Sequence, residues 1–304
     1  MRSSMIVLTA SLALASCAND APDAERGAED ALKAKKEAEL EAKRRLMAEE
    51  REKAAAREAE MKTARRKQAE EGQSFAVGSI TKAADEDPSA LVAEAVELMG
   101  GKKTVGAVET ISGTATLTGA VDQAYDFVIE YPAKMVVDFK DAGGQVTRAL
   151  LVDGKKAYNI TRGRVTELVN PTLSDTLLSI RGDPLCLMIA LATGGEGHDL
   201  TYLGRAEVAG KLCDAVRVQP PASKEIIAFF DAATGRLVAT RYEMAQGLVT
   251  VIDERFEEIG GIEIGVAGKQ IIGPMVSTVT VTNVEINPEL PKGMFEPMQH
   301  RLIR

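Results

Sequence analysis

The sequence predicts an α+β fold in which one long, curved antiparallel sheet wraps a pair of apolar helices, preceded by a long charged helix. Three observations predict it. Roughly a dozen stretches between positions 110 and 286 alternate apolar and polar residues with a period of two. A single interruption of that pattern, between positions 170 and 195, holds two short segments dense in Leu, Ile and Met. Ahead of these, Ala24 to Glu71 is composed almost wholly of Ala, Glu, Lys and Arg, a helix-forming composition.

At the N-terminus Arg2 precedes an apolar stretch from Met5 to Ala13, and small residues follow up to Cys17. This order reads as an export signal over residues 1–16, too short to span a bilayer permanently. The run Leu14-Ala15-Ser16-Cys17 resembles the lipobox of bacterial lipoproteins. That resemblance implies lipidation at Cys17, which becomes the new N-terminus, and a lipidated tether over 17–23. It also implies a lipid-anchored place in the bacterial cell envelope. Ala18, where an aspartate would favour inner-membrane retention, points to the outer membrane, facing the periplasm.

Positions 24–71 are expected to form a charged helical stalk. Glu and Lys or Arg recur at i and i+4, as in Glu29/Lys33, Glu39/Lys43, Glu41/Arg45, Glu49/Lys53 and Glu58/Lys62. Leu40, Met47, Ala54 and Met61 share one heptad position, but charges such as Lys43, Glu50 and Arg57 hold the partner position, so a strong coiled coil is not expected. As a helix the stretch would reach on the order of 70 Å; a partly disordered charged tether is the other reading. An envelope protein or the cell wall would be its partner. Residues 72–86 read as a linker.

The remaining domain, 87–300, opens with Asp87-Pro88, a capping side chain followed by Pro at the first helical position. Leu91, Val92, Ala95, Val96 and Met99 make its buried stripe, and Gly100-Gly101 ends it. Strands then follow: Ile111, Ala115 and Leu117 alternate with polar residues, as do Tyr125, Phe127, Ile129 and Tyr131, then Met135, Val137 and Phe139. Asp153-Gly154 supplies hairpin chemistry. Asn170-Pro171 and Asp183-Pro184 announce the two apolar helices, the second apolar nearly all round and so covered on more than one side. Strands resume from Leu200 to Ile286, the last with a one-residue phase slip that predicts a bulge near Asn283.

A net charge of −8 without a basic, aromatic-studded face excludes nucleic acid as a partner. Cys186 and Cys213 are open to two readings, one disulfide or buried free thiols. No nucleophile elbow, zinc-protease helix or phosphate loop is present, so no catalytic residue, metal or cofactor is expected. His198 reads as a loop residue, His300 as lying near an exposed end, and the pairs Asp253-Glu254 and Glu257-Glu258 as solvated charge.

In their order, several segments carry a wider likeness: Met99-Gly100-Gly101 leading to Gly113-Thr114-Ala115, Asp153-Gly154 before Tyr158, Leu203 to Gly210, Asp231 to Leu237, and Val284-Glu285-Ile286-Asn287 before Phe295-Glu296-Pro297. The domain resembles the LolA-like and LolB-like family of periplasmic lipoprotein carriers, although it lacks Trp. The resemblance implies a half-open antiparallel β-barrel with helical lids in its concave face, holding acyl chains or lipoproteins without catalysis. The expected lining is Leu177, Leu178, Leu185, Met188 and Ile189 from the helices, with Phe127, Ile129, Val137 and Phe229 from strands. Core packing is the alternative for each, and a closed-core structural or stress-sensing module is the alternative for the whole.

Overall fold

The computed structural model describes residues 41, 77–83, 85–193, 197–221 and 223–303. The signal 1–16, Cys17, the tether 17–23 and, apart from Glu41, the stalk 24–71 lie outside the described residues.

Thirteen strands form one sheet: β1 (Thr110–Gly119), β2 (Gln123–Glu130), β3 (Lys134–Lys140), β4 (Val146–Asp153), β5 (Ala157–Thr161), β6 (Arg164–Glu167), β7 (Asp199–Val208), β8 (Lys211–Gln219), β9 (Ile226–Asp231), β10 (Leu237–Met244), β11 (Gly247–Ile259), β12 (Ile262–Ile272) and β13 (Met275–Ile286). Their spatial order is β6-β5-β4-β3-β2-β1-β13-β12-β11-β10-β9-β8-β7. Every step is an antiparallel hairpin neighbour except β1 beside β13, where the two halves of the chain meet antiparallel. Strands β6 and β7 are left as edges, so the barrel stays open.

Residues 77–83, read from the sequence as linker, instead cover the edge strand β7. Gly78 donates its N–H to the Glu207 carbonyl at 2.8 Å, and Thr81 and Arg205 exchange backbone bonds of 2.8 and 2.9 Å. Covering an edge in this way removes a template for unwanted pairing. Gly204 permits the close approach: it has φ +124°, and a Cβ there would lie 2.2 Å from the Thr81 carbonyl oxygen.

Helix α1 (Pro88–Met99) has the cap the sequence predicts, Asp87 accepting from the Ser89 N–H, and it buries Val92, Ala95, Val96 and Met99. A short α2 (Lys102–Gly106) follows. The two apolar helices are α3 (Thr172–Arg181) and α4 (Pro184–Ala192). Asp183 caps α4, as expected, by accepting from the Leu185 and Cys186 N–H groups. Asn170 does not cap α3: Pro171 occupies that position and no side chain bonds the free amides. Helices α1, α3 and α4 pack on β7, β10 and β12 and so fill one half of the concave face. Their core joins Leu187, Met188 and Ile189 to Val216, Val218, Ile226, Ala228 and Phe230.

The opposite face of the sheet has its own cover. Helix α5 (Pro297–Ile303) and the segment before it fold back, so that Met294 joins Val136, Ala149, Leu151 and Ile160. His300, expected near an exposed end, is 1% exposed, and its Nε2 lies 3.1 Å from Oδ1 of Asp138, itself 1% exposed. The apolar back of β3 to β5 needed covering, and the C-terminal segment supplies that cover. Cys186 and Cys213 are both free, buried in different core clusters.

A candidate ligand hollow in the concave face

Beyond the reach of α4, the inner faces of β1 to β4 and β10 to β13 stand away from the helices and leave a hollow of about 390 Å³. Phe127 and Ile129 of β2, Val137 and Phe139 of β3, Leu150 of β4 and Val279 and Val281 of β13 give it an apolar wall. This size and lining are those of small-molecule pockets. It continues through Leu117, Tyr125, Phe139 and Gln270 into a recess of about 170 Å³, whose far wall holds Val121 and Met275. Both are large exposed apolar residues, beside the β1–β2 and β12–β13 turns.

At its inner end Ile180 and Cys186 separate the hollow from a second space of about 610 Å³, bounded by Tyr131, Pro132, Ile189, Pro220 and Pro221. The Tyr131 hydroxyl lies 3.3 Å from the Cys186 sulfur. Burial pushes the Cys186 thiol far up, with the Asp183 charge adding to it. Its sulfur is held as a thiol, which argues against a nucleophile.

The hollow is not wholly apolar. Asp183, at the turn into α4, points its capping Oδ1 at two amides 3.0 and 3.1 Å away. Burial nevertheless raises its carboxyl above the ordinary range, against the lowering pull of those bonds. Asp253 of β11 has a carboxyl pushed up to about 8, first by burial and then by the charge of Asp183. It lies over Gly265 of β12, where a Cβ would come within 2.3 Å of the carboxyl carbon, so a side chain at that position would displace it. Tyr242 of β10 packs its ring on Gly182 and is 4% exposed, while Tyr125 has its hydroxyl raised to about 12 by burial and then by Asp183. Lys269 bonds Oγ1 of Thr278 at 2.9 Å.

The structure distributes the sequence-predicted lining residues over five places. Phe127, Ile129 and Val137 line the hollow. Ile189 lines the second space. Leu185 and Met188 border a crevice of about 40 Å³, with room for a few waters at most. Leu177 and Leu178 pack in the core. Phe229, by contrast, is on the other face of the sheet, 0% exposed among Cys213, Ala215 and Val238, with the Arg241 guanidinium 5.6 Å from its ring centre. Its neighbour Phe230 is the one that faces the helices.

Asp253 escaped the sequence reading, which put it with Glu254 on a solvated stretch. A register shift between Asp253 and Arg255 turns Glu254 and Arg255 outward while Asp253 keeps the inward phase of Val249 and Val251. Among the described residues no group of three or more His, Cys, Asp or Glu side chains could hold a metal ion.

No family model and no curated protein matches the chain. Solved structures do. A DUF1329 family protein from Desulfovibrio piger aligns with TM-score 0.50 at 14% identity, covering 69% of this chain and 98% of that one. A LolA superfamily protein from Nitrosomonas europaea aligns with TM-score 0.45 at 11% identity, covering 69% and 98%. A domain from Vibrio parahaemolyticus, assigned to outer membrane lipoprotein sorting, aligns with TM-score 0.47 at 12% identity, covering 69% and 99%. With an open antiparallel sheet of thirteen strands and helices seated in its concave face, the domain shares the fold of the DUF1329 family protein and has the half-open barrel architecture that the LolA-like resemblance implies.

Proposed function

We propose that the chain is a lipid-anchored envelope protein that holds a lipid, the acyl chains of a lipoprotein or another apolar ligand in the hollow, without catalysis. The observation that carries this reading is the volume of about 390 Å³ left between β1 to β4 and the helices, walled largely by apolar side chains. Each methylene buried there would contribute about 0.8 kcal/mol, so a medium-length chain reaches useful affinity without any polar contact. Cys17 as the lipidated residue, the stalk over 24–71 and an outer-membrane address belong to the same proposal, since a tether would keep such a pocket near the membrane whose lipids it samples.

The test uses the full chain carrying Cys17→Ser, which removes the anchor's own lipid, purified without detergent and extracted for lipid mass spectrometry. Acyl species at near-stoichiometric amount are expected. A lipid-free protein that also fails to take up a fluorescent fatty acid would overturn the reading.

A further inference from the structure

Resting on the reading of the hollow as a ligand pocket, we propose that its occupant is a cationic amphiphile: its ammonium group sits against Asp183 and Asp253 with the Tyr242 hydroxyl beside them, and its tail lies along Phe127 and Val137. Hydrocarbon alone gives an apolar wall no reason to carry two carboxyls, because each costs desolvation. Asp183 is explained in part by the cap it makes, through one oxygen. Asp253 is not explained by any partner within the fold: among the described residues its carboxyl makes no hydrogen bond, although it lines the hollow. The same holds for Tyr242, whose side chain is 4% exposed and whose hydroxyl has no hydrogen-bond partner among them. These three groups come from three different elements and converge on one space.

The charge of that space selects the ligand. Facing Asp253 are Asp183, Tyr125, Tyr242, Cys186 and Lys269, with Arg236 and Glu263 across the other wall, bonded to each other at 2.7 Å. Lys269 bonds Thr278 at 2.9 Å, and among the described residues no ion pair joins a cation to Asp183 or Asp253 in the wall of the hollow. A fatty-acid or phosphate head group would meet the negative charge of Asp183 there. A hydroxyl would satisfy one acceptor. An ammonium brings three donors and a positive charge, which matches two carboxyls and a phenol oxygen.

Calorimetric titration of the Cys17→Ser chain with decylamine, decanol and decanoate, each below its micelle concentration, tests this. Decylamine is expected to bind at least about tenfold tighter than decanol, with decanoate weakest. Because the empty-state Asp253 carboxyl is held largely protonated near pH 7, amine binding should also release protons to the buffer, read from two buffers of different ionisation enthalpy. Asp253→Asn and Tyr242→Phe should each weaken decylamine by a larger factor than they weaken decanol. Asp183→Asn should do the same without uncapping α4, since Asn caps as well as Asp. Should Asp253→Asn fold poorly, Tyr242→Phe and the proton release of the unaltered pocket still decide. Decanol binding as tightly as decylamine, or Asp253→Asn leaving the amine affinity unchanged, overturns the cationic assignment while the apolar pocket stands. Failure of all three ligands to bind overturns both.

Discussion

Strands β2 and β9 carry the same kind of sequence, large apolar residues at inward positions, and they meet different interiors. On β9, Ile226, Ala228 and Phe230 are closed off completely by α1 and α4, and the residues between them are covered on the other face as well. On β2, Tyr125, Phe127 and Ile129 are only half-buried, although they point to the same concave side. Helix length makes the difference. A nine-residue α4 extends about 14 Å, enough to plug the β7 to β12 half and too little to reach the middle of β2 and β3. Inward phase tells which side chains share a space; whether that space is filled depends on how far the plug extends.

The largest expected effect separates the two halves directly. Phe230→Ala should lose about 3–5 kcal/mol of unfolding free energy in urea, since the surrounding core has nothing to collapse into the void. Phe127→Ala should lose roughly 1 kcal/mol, because its ring already faces open volume and gives up less burial. Equal losses would mean that the two halves are packed alike and that the hollow closes in solution.

Much of this arrangement was legible in residue order. Asp87-Pro88 and Asp183-Pro184 cap their helices as the spacing predicts. The phase slip in the last strand is real: Ser112 pairs with Glu285 but Thr114 pairs with Thr282, leaving a bulge at Asn283, whose φ is +53°. Three features were not legible, for separate reasons. The run Ile226 to Phe230 is apolar throughout, as expected of a strand covered on both faces, and such a run carries no phase, so Phe229 was placed in the wrong layer. Strand β6 is four residues with one apolar side chain, below what periodicity can register. Burial of His300 depends on a long-range fold-back that local pattern does not encode. Asp253 was within reach, because the alternation Val249, Val251, Asp253 runs straight into it.

A middle-sized effect comes from adding volume instead of removing it. Val137→Phe on β3 projects its new ring into the hollow and should change stability by less than about 1 kcal/mol, whereas Ala228→Phe on β9 should cost about 1–3 kcal/mol or more by overpacking. The contrast sharpens further with ligand present: the tolerated Val137→Phe is the variant that should lose acyl uptake. A severe loss of stability in Val137→Phe would show that the space beside β3 is smaller than it stands here.

The smallest expected effect concerns how the two halves treat a carboxyl. In the filled half Asp214 accepts from the Tyr202 hydroxyl and the Arg205 Nε, both at 2.8 Å. In the open half Asp253 has no such donor, and burial with the Asp183 charge lifts its carboxyl to about 8. An unfolded chain would ionise it near 3.9. Between those values the folded protein binds a proton that the unfolded chain has released, so stability is greatest at the acid end and declines as pH rises through about 8. Asp183, also raised, adds to the same slope. Asp253→Asn removes its share: variant and parent should be nearly alike at about pH 3.5, and the variant's advantage should grow to at least about 1 kcal/mol near pH 8. Urea melts at the two pH values decide it. A parent protein equally stable at both would mean that water or a donor reaches Asp253 in solution, and the hollow would then be a wet cleft instead of an apolar pocket.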